Sequence, residues 1–136
     1  MILLKERLDY VRKYTLKYKD ISVGILSYDT ESRRFSYETI NKTLDKFKYP
    51  PILFDYRYFD VNHIPTNEEI IEFLEERTIP ECRADKVLEM LGMDNYNVWE
   101  ICKATRGVVA DDYWWLAKDG DRYEDFHIRA RFEKNN

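Results

Sequence analysis

His63 and His127 are the only imidazoles in the chain, so acid–base or zinc chemistry would have to run through one of them. His63 lies in Asp60-Val61-Asn62-His63-Ile64-Pro65. There Asp60 and His63 have the types of a base with its orienting carboxylate, or of half a metal site. His127 follows Glu124-Asp125-Phe126 and, on an extended strand, would share a face with Asp125. Neither pair comes with a nucleophile, and a histidine in a loop before proline is more often a hydrogen-bonding surface residue. Asp111, Asp112, Asp119, Asp121, Glu124 and Asp125 supply clustered carboxylates of the kind hard cations take, but their spacing matches no calcium loop. A solvated acidic surface is the commoner outcome. The chain lacks a P-loop, G-x-G-x-x-G, G-x-S-x-G and C-x-x-C. Accordingly no catalytic residue, metal ligand or cofactor is assigned. A small metal-dependent or acid–base enzyme built on His63, His127 and the acidic turn is kept as the alternative reading.

Binding chemistry is better represented. Trp114-Trp115 follows Asp111-Asp112-Tyr113, and adjacent strand residues point to opposite sides. One tryptophan is therefore expected in the core and the other at solvent or a partner, where large aromatics concentrate binding energy. Tyr113, Trp114 and Trp115, with Arg77 and Arg83 of Arg77-Thr78-Ile79-Pro80-Glu81-Cys82-Arg83, form the expected partner-binding set. The two arginines have a competing structural role, holding a turn by binding helix C-terminal carbonyls or nearby carboxylates. A nucleic-acid reading draws on Arg12, Lys13, Lys17 and Lys19 among tyrosines, with Arg33 and Arg34 on the next strand. A sequence pI near 5.3 disfavours it.

The elements that must carry these residues read as an α+β domain spanning 1–136. Residues 1–60 are strand-rich. Tyr14–Tyr18 alternates, Ile21, Val23, Ile25 and Ser27 fall on one face of the next run, and Asp29-Thr30-Glu31-Ser32 turns it into a strand over 33–40. Phe35 and Tyr37 share a face of this antiparallel hairpin, and Gly24 marks a bulge or a close neighbour. Residues 41–48 read as a short helix ended by Tyr49-Pro50-Pro51, and 52–59 as a third strand. The segment 66–107 is helical. Thr66 and Glu69 form a capping box ahead of Ile70, Ile71, Phe73 and Leu74. A second helix covers 82–91, with Val87, Leu88 and Leu91 inward and Gly92 at its stop, and a third covers 95–106, with Trp99, Ile101 and Cys102 inward. Residues 110–130 are expected to form a C-terminal β-hairpin turning at Lys118–Asp121, and 131–136 a frayed tail.

Composition narrows the class. In 136 residues, 44% are apolar, 35% charged and 15% aromatic, which fits a globular chain and not a disordered one. No apolar run approaches a membrane span of about 18 residues, and Met1-Ile2-Leu3-Leu4-Lys5 turns charged too early for a signal peptide. Cys82 and Cys102 are expected as reduced thiols, so a cytoplasmic location without a membrane partner is expected. Net charge is −4, but residues 1–50 are net basic and 51–136 net acidic, an asymmetry that can orient a charged partner.

The order of R-x-I-P-x-x-R (Arg77, Ile79, Pro80, Arg83), two short helices, D-x-Y-W (Asp112, Tyr113, Trp114) and Tyr123-Glu124-Asp125-Phe126 resembles the N-terminal region of HipA-like proteins of Gram-positive bacteria. Val23-Gly24-Ile25-Leu26-Ser27-Tyr28-Asp29 followed by Phe35-Ser36-Tyr37 is similar to the opening of those modules. Tyr123 stands where the family has tryptophan, and the kinase-like region that carries the family's ATP-binding and phosphotransfer residues has no counterpart in residues 1–136. The resemblance implies an accessory module without catalysis, of toxin–antitoxin, mobile-element or prophage type. Such a module would dock on a kinase-like toxin, an antitoxin or another protein.

Overall fold

The computed structural model describes residues 11–44, 49–55, 57–109 and 112–130. It has a four-stranded antiparallel sheet with short helices, an α+β architecture. Strands β1 (Val11–Tyr18), β2 (Ile21–Asp29) and β3 (Arg34–Thr39) form a meander, and β4 (Trp114–Ala117) returns after the helices to pair with β1. The order is therefore β3-β2-β1-β4. Alternation puts Tyr14, Leu16, Leu26 and Tyr37 on one buried face. Lys13, Thr15, Lys17, Ser27, Ser36 and Glu38 take the other face, and none of them is buried.

The β1–β2 register slips by one residue at Leu16/Lys17, opposite Gly24 and Ser22. This bulge corrects the expected face of β2. Val23 is the extra residue and is fully buried, Leu26 is buried with it, Ile25 is only half-buried and Ile21 is exposed. Gly24 meets both expectations, because a Cβ added there would run into the Tyr37 phenol ring. The hairpin turn is set by Asp29, whose Oδ1 accepts the N–H groups of Glu31 (2.9 Å) and Ser32 (3.3 Å).

Residues 52–55 and 57–59 are not the expected strand, and Tyr56 lies outside the described residues. Pro50-Pro51 leads into a 3-10 turn, Pro51–Leu53, and the backbone then reverses around Asp55 (φ 57°) and Phe59 (φ 44°). The Asp55 carbonyl accepts from Phe59 N–H at 2.8 Å, so local turns outcompete the aromatic strand propensity. Leu53 and Phe54 are instead fully buried plugs. The short helix expected over 41–48 is absent at 41–44, and 45–48 lie outside the described residues.

Helix α1 (Asn67–Glu76) starts at the expected capping box: Glu69 N–H donates to Thr66 Oγ1 (3.1 Å) and Thr66 N–H to Glu69 Oε1 (3.0 Å). Ile70, Phe73 and Leu74 are buried, whereas Ile71 is only partly so. The Asn67 side chain accepts the outward N–H of Phe35 at 2.7 Å, tying α1 to the edge of β3. A 3-10 turn, Glu81–Arg83, precedes α2 (Asp85–Leu91), whose Val87, Leu88 and Leu91 are half-buried and which stops at left-handed Gly92 (φ 68°). Helix α3 (Val98–Thr105) is capped by Asn97, whose Oδ1 accepts from Glu100 N–H at 2.9 Å, and buries Trp99, Ile101 and Cys102 as expected.

The C-terminal hairpin is also corrected. Trp114–Ala117 pairs with β1, and Tyr123–Phe126 is a helical turn, α4, followed by a further helical turn at 128–130. Two side chains redirect the chain. Asp121 Oδ2 accepts from Lys118 N–H (2.8 Å) and from Arg106 Nε (2.9 Å), and Asp20 Oδ1 accepts from Tyr123 N–H (3.0 Å). The tail expected to fray, 131–136, lies outside the described residues.

Candidate functional site

The signature residues meet, but in the interior. Arg77, just past α1, is 6% exposed. Its guanidinium donates to the Gly107 carbonyl (2.5 Å), to the Trp114 carbonyl (2.8 Å) and to both Asp112 oxygens (3.1 and 2.6 Å). Asp112 Oδ1 also accepts the Trp114 N–H at 2.9 Å. One planar fork thus joins the end of α1, the end of α3 and the start of β4, which is the structural role weighed for this arginine. Arg83 is exposed in its 3-10 turn and takes no part.

The tryptophans depart from expectation: both are buried, Trp114 at 5% and Trp115 at 0% exposure. They do point to opposite faces, but β4 is covered on both. Trp114 packs edge-on against Tyr18 at 5.2 Å, while Trp115 stacks on Phe126 at 5.9 Å and donates from Nε1 to the Lys19 carbonyl at 2.6 Å. The covering layer is the C-terminal segment that folds back as α4. An exposed aromatic patch at Trp114/Trp115 is therefore absent, and Tyr113 is half-buried beside Tyr18 and under the Arg129 guanidinium.

The acid–base pairs of the alternative reading are not assembled. His63 does not pair with the Asp60 carboxylate, which accepts from Asn62 N–H. Its Nε2 instead lies 3.1 Å from both Glu69 oxygens. The Glu69 carboxyl is held below its usual range: burial raises it, but the Thr66 N–H and His63 pull it further down. Since Glu69 is the capping-box carboxylate, this pair serves the helix start. His127 is 1% exposed and Asp125 is exposed, so the helical turn separates them. Burial pushes the His127 imidazole below its ordinary pKa, with Arg77 and Arg129 acting the same way and Asp112 against them. Its Nδ1 accepts from Arg129 N–H at 3.1 Å. No cluster of three or more His, Cys, Asp or Glu able to hold a metal occurs among the described residues, and Asp111 lies outside them.

The six basic residues of the nucleic-acid reading do not converge. Lys13 and Lys17 lie on the open sheet face, with Lys17 Nζ 5.7 Å above the Trp115 ring. Lys19 sits over Tyr113 at 4.6 Å, seven residues and roughly 23 Å of strand from Arg12. Arg34 opens β3. Arg12 and Arg33 come together on a groove of about 600 Å³ between the β2–β3 hairpin, α1 and α3, and Arg12 and Lys13 on a second, of about 610 Å³, with Lys103 and Lys118.

The groove of Arg12 and Arg33 combines an aromatic floor with a basic rim. Its floor is three rings: Tyr28 and Phe35, a cross-strand pair with centroids 4.7 Å apart, and Trp99, 5.6 Å from Tyr28 and 5.1 Å edge-on from Phe35. Its rim carries Arg12, Arg33 and Lys103. Arg33 is exposed, with a left-handed backbone (φ 59°). Lys103 Nζ lies 2.7 Å from Glu100 and 5.7 Å from the Trp99 ring centroid. Sequence reasoning missed Tyr28, Phe35, Trp99 and Lys103 as a site. The usable signal was the Tyr28/Phe35 pair flanking a turn that also contains Arg33; the approach of α3 left no local trace. Such a site can take an apolar side chain on its floor and anionic groups at its rim.

Comparison with protein-family models and with curated protein sequences finds no match for this chain. No helix among the described residues is long and apolar enough to cross a membrane.

Proposed function

We propose that this chain is a non-enzymatic docking module that receives a protein partner in the groove between the β2–β3 hairpin and α3. The observation that carries the reading is the half-exposed aromatic floor of Tyr28 and Phe35 on Trp99, rimmed by Arg12, Arg33 and Lys103. Aromatic and arginine side chains gathered in one concavity are the composition of binding hot spots. Arg77, Asp112, Trp114 and Trp115 build the scaffold beneath, and act on a partner only by holding α3 against the hairpin. The likeness to HipA-like N-terminal modules supplies a candidate partner, a kinase-like toxin or its antitoxin, and a mobile-element or prophage setting. A cytoplasmic site of action agrees with Cys82 and Cys102 both being free thiols.

A photo-crosslinking residue at position 33, on the groove rim, and at position 90, exposed on α2 outside the groove, tests this reading. Illumination in the native host should give a discrete, nuclease-resistant protein adduct from position 33 and none from position 90. Adducts sensitive to nuclease, or the same adduct from both positions, would overturn it in favour of nucleic acid or of non-specific contact.

A further inference from the structure

We infer that the groove recognises an acidic segment of the partner that presents one aromatic or large aliphatic anchor, a refinement that rests on the docking reading above. The chain as a whole is acidic, at net −4. Yet among the described residues Arg12, Arg33 and Lys103 line the groove with one carboxylate, Glu100. A cationic rim on an acidic chain is a local reversal of sign, and it selects carboxylates by attraction. Lys103 is held ready by Glu100, and an incoming carboxylate exchanges with that exposed partner at little cost. The anchor is required because Tyr28 and Phe35 keep part of their ring surface in water, and covering it is favourable only for an apolar side chain.

The ring geometry favours a protein side chain over single-stranded nucleic acid. Stacked bases need flat, open aromatic faces. Here the rings are spent on one another, at interplanar angles of 39° for Tyr28/Phe35, 48° for Tyr28/Trp99 and 80° for Phe35/Trp99. Tilted and edge-on packing of this kind leaves less flat ring face for a base to stack on. Of the other four basic residues, Lys17, Lys19 and Arg34 lie away from this groove, whereas Lys13 lines a second one that shares Arg12 and Lys103 with it and adds Lys118, so an oligonucleotide is the competing anion in the test.

The test uses the full chain, ¹⁵N-labelled, titrated with a synthetic nonapeptide of Asp and Glu around a central Trp. Saturable shifts should centre on Arg33, Phe35 and the turn into α3. Affinity should fall about tenfold in the double variant Arg33→Asn/Lys103→Gln, and should fall again when ionic strength rises from about 0.05 to 0.5 M. Asparagine tolerates the left-handed backbone at position 33 and glutamine keeps the helix, so a well-dispersed spectrum of the variant is expected. Absence of shifts, equal binding by the variant, or tighter binding of the same peptide with Lys in place of Asp and Glu would each overturn the acidic occupant. If position-33 adducts still form in the host while the acidic peptide fails, the docking reading stands and this refinement falls. If oligo-dT shifts the same resonances more tightly than the peptide, both fall.

Discussion

Replacing Arg77 with Met removes the charge and the donors while keeping much of the side-chain volume, and the structure fixes what that should cost. Two backbone carbonyls, Gly107 and Trp114, lose donors at 2.5 and 2.8 Å in an interior where the arginine side chain is 5% exposed. Each buried acceptor left without a donor costs about 1–3 kcal/mol. Asp112 loses its bidentate partner, but its side chain is 36% exposed and regains water, so its share is about 1 kcal/mol or less. The sum, about 2–7 kcal/mol, brackets the usual cost of about 3–5 kcal/mol for breaking a buried ion pair. It is a large fraction of a whole-domain stability of about 5–15 kcal/mol. Arg77→Lys keeps the charge but replaces the fork with a point charge that reaches fewer of the four acceptor atoms, so it should cost roughly half as much. Urea unfolding followed by tryptophan fluorescence reports directly, since Trp114 and Trp115 lie on the strand that Arg77 holds. A loss below about 1 kcal/mol for Arg77→Met, with unchanged slope, would refute the view that this arginine joins α1, α3 and β4.

Three further outcomes are expected. His127 is buried with its pKa lowered, so the unfolded chain binds its proton more readily; the stability contributed by neutral His127 is complete above about pH 6.5 and is lost as pH falls below it. Urea midpoints at about pH 5.5 and 7.5 should differ more in the native protein than in His127→Gln, and equal differences would contradict the assignment. Gly24→Ala should lower the thermal midpoint, by an overpacking cost of about 1–3 kcal/mol, and Tyr37→Leu in the same chain should recover part of it, because the added methyl collides with that ring. A thiol reagent should label Cys82 in the folded protein and spare Cys102, whose thiol burial pushes up to about 12; two labelled thiols per native chain would contradict its burial.

What the sequence made legible is what neighbouring residues decide among themselves. The Thr66–Glu69 capping box, the Asp29 turn and the Gly92 stop each rest on contacts within about five residues, and all are present. The α+β class followed from them. Segments whose conformation is settled by distant partners were misread. Residues 52–59 have the aromatic density of a strand, but Leu53 and Phe54 are consumed as core plugs. Tyr123–Phe126 looked extended, but Asp20, about a hundred positions earlier, accepts from the Tyr123 N–H and starts a helical turn there. Alternation correctly sent Trp114 and Trp115 to opposite sides. It could not reveal that the chain folds back to cover the second side as well. The candidate site was the least legible part. Arg12 and Arg33 were singled out for their charge, but their groove exists only because α3 brings Trp99 and Lys103 to the hairpin.

The central claim, that this groove is where a protein partner is held, is tested most directly by affinity capture from nuclease-treated lysate of the native host. The wild-type chain and Arg33→Asn/Lys103→Gln, matched for folding by circular dichroism and thermal midpoint, are compared by quantitative mass spectrometry. A stoichiometric protein should be retained by the wild type and depleted at least about tenfold on the variant. Equal retention by both, or a wild-type capture that disappears with nuclease, would contradict it.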